Sequence, residues 1–120
     1  MTNDSKLVNF IKNYYLYVDN SQLDDLLDLF SHDSYYKRCK LEIRGKAELE
    51  KFYKQGRSIS GKHSIFKITE VSGNSIIVEG SFDGQWKDGT PLSIHFSDFF
   101  FFNQEDKICE RHTYTDQGSV

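Results

Sequence analysis

The residues best placed to do chemistry stand in "SIHFSDFFFFN", Ser93–Asn103, where one carboxylate, Asp98, heads a run of four phenylalanines. In a strand, side chains alternate between faces, so Phe96, Asp98 and Phe100 share one face. A carboxylate on an apolar face is costly to ionise; it either takes up a proton or finds a cation. With its pKa raised it can exchange a proton near neutrality, which makes Asp98 the first candidate for acid/base work. The alternative is a structural ion pair with Arg38 or Arg111. Both arginines also suit a bound carboxylate or enolate. His63, in "GKH", is a histidine where a strand begins, and histidine is the side chain suited to general base work near pH 7.

Other chemistries are set aside. There is no glycine-rich nucleotide loop, no GK[ST] phosphate loop and no GxSxG elbow. His32, His63, His95 and His112 lack HExxH spacing, and Cys39 and Cys109 lie far apart, so neither a metal nor a cofactor is expected. Fifteen basic against 18 acidic side chains leave a net charge of −3, which argues against a nucleic-acid surface. Two cysteines do not make a secreted disulfide framework. The polar start "MTNDSKL" has no apolar signal core, and no window approaches a membrane span. A cytoplasmic protein with no membrane partner is expected.

The 120 residues suit one domain, 1–120. Leu7, Phe10, Ile11, Tyr14 and Val18 recur at helical spacing and predict a helix over 4–18, capped by Asp4 or Ser5. Ser21 is expected to cap a second helix whose apolar stripe is Leu23, Leu26, Leu27 and Phe30, ended by "SHDS". "YYKRCK" reads as a short strand. A third helix, 46–55, turns Leu49, Phe52 and Tyr53 inward. From His63 the period becomes 2. "HSIFKITEV", "SIIVEGSFDGQWK", "LSIHFSDFFFF" and "KICERHTYTD" predict four antiparallel strands. Gly80 and Gly84 inside the second of them suggest bulges or bends. Helices grouped before a meander imply an α+β domain: three N-terminal helices packed on a strongly curled antiparallel sheet, a cone with a pocket at one end. The helices can cover only one face of "FFFF". Phe99 and Phe101, with Trp86 expected nearby, would then form an outer apolar patch suited to a homodimer.

Taken together, "NYYLYVDNSQLDDLLDLFSHD", "IRGKAELEKFYKQG", "DGTPLSIHFSDFFFF" and "KICERHTYTD" resemble, in order and spacing, the ketosteroid isomerase-like and SnoaL-like (polyketide cyclase-like) members of the nuclear transport factor 2-like superfamily. The resemblance implies a cystatin-like α+β barrel, often dimeric, with a deep apolar pocket. It places Tyr14 at the oxyanion-hole tyrosine of the steroid isomerases and Asp98 at their protonated aspartate, the system that also serves as a standard example of pKa tuning. Arg38 falls where their base carboxylate stands. An arginine cannot do that work, and His63 is the replacement base. The same pairing turns Arg111 and Thr113 inward and His112 and Tyr114 outward. Limonene epoxide hydrolases of the superfamily use an Asp–Arg–Asp set. Asp98 with Arg38 or Arg111 is similar to part of it, but Phe96 stands where their arginine precedes the strand aspartate.

The expected function is cofactor-independent acid/base catalysis, an isomerase, aldol-type cyclase or lyase, on a small hydrophobic carbonyl compound. Asp98, Tyr14, His63 and Arg38 are the catalytic candidates. Phe52, Phe96, Phe100, Arg111 and Thr113 are the substrate-binding candidates. The alternatives are a non-catalytic binding or dimerisation module on the same fold and, more weakly, an epoxide hydrolase-like enzyme.

Overall fold

Residues 6–56, 59–72 and 74–117 are described by the computed structural model. The chain opens with helix α1 (Lys6–Asp19), which buries Leu7, Ile11, Tyr14, Tyr15 and Val18 along one stripe. These positions follow the 3.6-residue period, so burial of that stripe, rather than propensity, holds the helix. The expected cap at Asp4 or Ser5 lies outside the described residues. Helix α2 (Leu23–Leu27) is a single short turn with no side-chain cap; Gln22 holds the cap position, and Ser21 instead adopts φ 56°.

Strand β1 (Phe30–Arg38) starts earlier than the sequence suggests. Phe30 and "SHDS" belong to it, because Phe30 pairs with Ile108 of β6 (Ile108–Thr115) instead of continuing α2. A two-residue turn at Cys39 and Lys40 returns the chain as β2 (Leu41–Arg44), a strand the sequence reading does not contain. Cys39, with φ 52°, makes this turn without the glycine or asparagine that usually signals one. Helix α3 (Gly45–Lys51) follows and runs into a π-helical turn over Phe52–Gly56. The meander is β3 (Ile59–Val71), β4 (Ser75–Trp86), β5 (Pro91–Phe102) and β6. Among the described residues no helix is long and apolar enough to cross a membrane.

The six strands form one sheet in the order β2-β1-β6-β5-β4-β3. It is mixed, not purely antiparallel as expected, because β1 lies parallel to β6. That pairing matters for the site, since it sets Tyr36 beside Arg111 and Arg38 beside Thr113. The sheet curls around α1 and α3, and the main core fills the concave side with Ile11, Tyr14, Tyr36, Leu49, Val78 and Phe100, among others. A second, smaller cluster is formed by Ile59, Phe82 and Ile94, with Trp86 and Leu92 against it. Trp86 pairs with Ile59 and lies away from Phe99 and Phe101, whose cross-strand neighbours are Ile77 and Ser75. The expected grouping of Trp86 with those phenylalanines is therefore corrected.

The glycines of β4 permit the curl. A bulge lies on β3 between Ile65 and Lys67, opposite Gly80, and leaves Phe66 pointing to solvent. Gly84 faces Gly61, and a Cβ on Gly84 would stand 2.0 Å from the Ser60 carbonyl oxygen. Backbone cannot yield as a flexible side chain can. Gly84→Val is therefore expected to cost about 1–3 kcal/mol, read as a lower urea midpoint. An unchanged midpoint would show that the strands do not approach so closely.

Candidate active site at the open end of the sheet

Alternation along β5 turns Phe96, Asp98 and Phe100 into the protein and leaves Phe99 and Phe101 outside. The register of β5 with β6 is Asp98 to Thr113 and Phe100 to Arg111. Arg111 and Thr113 are thereby buried, while Tyr114 is 45% exposed on the outer face.

Asp98 is 1% exposed, and each of its oxygens is engaged. One accepts from the Thr113 hydroxyl; the other accepts from the Tyr15 hydroxyl and from Arg111 Nη2 at 2.8 Å. Arg111 Nη1 donates to the Tyr14 hydroxyl and to the Tyr53 hydroxyl, the latter at 3.0 Å. The guanidinium lies between aromatic rings, 4.5 Å from the Tyr14 centroid, 4.6 Å from Tyr36 and 5.0 Å from Phe100. Such stacking suits the planar, weakly hydrated guanidinium. A second arm reaches the carboxylate from the side. Arg38 Nη1 donates to the Tyr36 hydroxyl at 3.0 Å, and that hydroxyl lies 3.1 Å from Thr113 Oγ1. Thr113 has one hydrogen and gives it to Asp98, so Tyr36 donates to Thr113.

Burial is the largest influence on the Asp98 carboxyl and pushes it above its ordinary range. Hydrogen bonds from Thr113 and Tyr15, and the neighbouring His63 and Arg38 side chains, act the other way. Burial lowers the Arg111 guanidinium from its usual value, yet an arginine keeps its proton in a protein. The pair is thus a buried ion pair with most of its hydrogen-bonding capacity used. Arg111 Nε, with no partner among the described residues, is the exception.

Tyr15 shows what the carboxylate does to its neighbour. Burial first, and then the Asp98 charge, push its phenol well above 10.0. In the unfolded chain the same phenol ionises near 10, so above that pH the folded state holds the extra proton. The stability this contributes is complete below pH 10 and is lost as pH rises further. Alkaline titration should therefore show buried-tyrosine ionisation, read at the phenolate absorbance band, arriving together with loss of near-ultraviolet circular dichroism. Smooth ionisation of all seven tyrosines with the fold intact would contradict this.

His63 stands where β3 begins to line the open end of the sheet. Its backbone N–H donates to Asp19 Oδ2 at 3.0 Å, and its Nδ1 lies 2.6 Å from Asp19 Oδ1. A cavity of about 20 Å³, room for about one water, is lined by His63, Asp98, Arg111, Thr113, Arg38 and Phe96, together with Ile59, Phe82 and Ile94 of the second cluster. Six of the nine candidates read from the sequence thus meet at one place. Tyr14, Phe52 and Phe100 do not line it. Tyr14 sits behind Arg111, where its hydroxyl is taken, and Phe52 lies beneath the Arg38 guanidinium at 5.5 Å. Phe100 is wholly buried in the core. The cavity beside Asp98 is small, not the deep apolar pocket implied by the resemblance, and Tyr14, Tyr36, Phe100 and their neighbours pack the core behind it. A larger groove of about 410 Å³ runs over the outer face past Phe66, His95 and Tyr114, away from the acid/base candidates.

Sequence reasoning missed Tyr15, Tyr36, Tyr53 and Asp19. One signal was available: Tyr15 and Asp19 are four residues apart on α1 and so lie on the same helix face. Asp98→Asn would disturb this cluster. An amide has one acceptor oxygen for three donors, and it leaves Arg111 without its anion, so stability should fall along with any turnover.

The curled sheet wrapped on N-terminal helices, with a polar cluster at its open end, is the nuclear transport factor 2-like cone fold. No protein-family model matches the chain, and no curated protein matches it. Solved structures do. The epoxide hydrolase/cyclase-like enzyme SalBIII, described for its role in pyran ring formation in the polyether salinomycin, superposes with a TM-score of 0.85 over 100% of both chains at 16% identity. An NTF2-like protein of unknown function from Exiguobacterium sp. 255-15 gives 0.80 over 89% of this chain and 98% of its own, at 20% identity. A protein described as a SnoaL-like polyketide cyclase, from Shewanella denitrificans OS-217, gives 0.82 over 95% and 93%, at 10% identity. At these identities the likeness is one of fold.

Proposed function

We propose that this protein is a cofactor-independent acid/base enzyme, an isomerase, aldol-type cyclase or lyase, acting on a small hydrophobic carbonyl compound. The observation that carries the reading is the meeting of a histidine with a free ring nitrogen and a buried Asp98–Arg111 pair on one cavity. His63 Nε2 has no partner among the described residues and serves as the base. Arg111, held by Asp98, presents positive charge to the oxygen that becomes negative as the proton leaves carbon, while Thr113 spends its one hydrogen on Asp98. Asp98 shifts from the acid/base role expected of it to that of the anion that fixes those groups, because its oxygens are already engaged. Tyr14 acts only through Arg111. Substrate binding requires Ile59, Phe82 and Ile94 to give way, which favours a small ligand. The neighbours described as cyclases support ring-forming or double-bond-moving chemistry, in polyketide or other secondary metabolism. Solvent-deuterium uptake by a panel of small β,γ-unsaturated ketones and β-diketones tests it. Uptake no faster than in buffer across the panel would remove the enzyme reading.

One observation favours the non-catalytic alternative: the cone is filled and the carboxylate is paired. A binding or dimerisation module would show ligand-independent stability and no deuterium uptake. The SalBIII likeness keeps an epoxide hydrolase-like reaction as a third reading, against which Phe96 replaces the preceding arginine. We also propose a cytoplasmic homodimer formed through the outer sheet face. Support comes from Phe101, Tyr114 and Phe66, which are 38%, 45% and 63% exposed there. Sedimentation should give a dimer at micromolar concentration and a monomer for Phe101→Lys. A monomeric parent protein would end that proposal.

A further inference from the structure

We propose that Asp19 is the positioning residue of the base: it fixes the tautomer and ring orientation of His63 so that Nε2 is the proton acceptor at the cavity. The inference rests on the acid/base reading above and adds a residue to it.

Asp19 closes α1, and that is a poor place for a carboxylate. A helix C-terminus carries partial negative charge, and no basic residue stands in this last turn to offset it. A local choice that works against its own helix needs another reason. The contacts supply one. Both oxygens of Asp19 are used on one residue: Oδ2 accepts the His63 backbone N–H at 3.0 Å, and Oδ1 faces His63 Nδ1 at 2.6 Å. The two side chains are only 12% and 15% exposed. Three rings hold the imidazole in place, Tyr15 at 5.0 Å, Phe82 at 4.8 Å and Phe96 at 5.5 Å between centroids.

A carboxylate can only accept, so Nδ1 carries the hydrogen and Nε2 keeps its lone pair. A base held by a third group in this way is the arrangement that makes a histidine effective in proton transfer. The groups facing the imidazole are Asp19 and Tyr15 from α1, Asp98 from β5, Arg38 from β1 and Arg111 from β6. Tyr15 and Asp19, one helical turn apart, thus fasten both halves of the site to α1: the first holds Asp98, the second His63.

The step balances within the site. The C–H bond next to the carbonyl breaks, its proton goes to Nε2, and its electron pair becomes the enolate, whose oxygen faces Arg111. The imidazolium formed has its second N–H on the Asp19 carboxylate. Return of the proton to another carbon of the enolate regenerates neutral His63, and no other reactant is needed.

Asp19→Asn and Asp19→Ala separate this role from a simple tie between α1 and β3. In the asparagine variant one oxygen must serve two donors, so the amide NH₂ meets either the backbone N–H or Nδ1. Ring-nitrogen NMR of isotopically labelled protein should show Nδ1 protonated and Nε2 bare in the parent, and loss of that preference in both variants. With a β,γ-unsaturated ketone as probe, kcat for deuterium uptake should fall about 100-fold or more while KM changes little, and Asp19→Glu should restore part of it. An unchanged tautomer pattern in both variants would overturn the inference, as would loss of rate through KM alone. If the parent protein shows no uptake, the acid/base reading fails, and the tautomer result alone decides whether Asp19 positions the ring.

Discussion

Arg111→Met is expected to destabilise the protein by about 3–5 kcal/mol, the range seen when one partner of a buried ion pair is removed. The reason is the charge that stays behind. Asp98 and Arg111 are 1% and 4% exposed, so neither can recover solvation by a small movement. Without the guanidinium the carboxylate keeps two neutral donors, Tyr15 and Thr113, and the more distant charge of Arg38. It is already raised by burial, and the loss of Arg111 raises it further. The sign follows. The variant's folded-state pKa lies above that of the unfolded chain, so its deficit is largest near neutrality and shrinks as pH falls toward about 4. Urea midpoints at two pH values read this. Asp98→Asn in the same chain should recover much of the loss, because a neutral pair of similar shape leaves no buried charge. A deficit under about 1 kcal/mol at neutral pH would mean that the pair is solvated and that the filled interior does not exist as described.

His63→Gln is expected to lower the rate of deuterium uptake by about 10²–10⁴-fold, the usual contribution of a positioned general base. Asp98 cannot stand in for it. Its oxygens accept from Tyr15, Thr113 and Arg111, so a proton delivered there would first have to break one of those bonds. Glutamine keeps polarity and approximate size but has no lone-pair nitrogen of useful basicity. The ion pair and its tyrosines are untouched, so the melting temperature should move far less than in Arg111→Met. The two substitutions therefore separate the halves of the site: one is chiefly structural, the other chiefly kinetic. Full activity in His63→Gln would return the base role to Asp98.

The sequence by itself determined which faces are buried. Spacing on α1 identified the stripe that carries Tyr14, and alternation on β5 put Phe96, Asp98 and Phe100 together inside. Composition and the order of elements pointed to helices on a curled sheet, and that is the fold. Partners are another matter. Period tells which way a side chain points, not what it meets, because the meeting depends on register between strands far apart in the chain. Arg38 and Arg111 were equal candidates for Asp98 until the β5–β6 register brought Arg111 to 2.8 Å, while the parallel β1–β6 pairing left Arg38 to act through Tyr36. Strand β2 went unseen because Cys39 makes its turn without turn-type residues. Asp19 reaches a histidine 44 positions away only because the sheet curls until the start of β3 meets the end of α1. That curl depends on backbones closing over Gly61 and Gly84, and only the folded chain decides it.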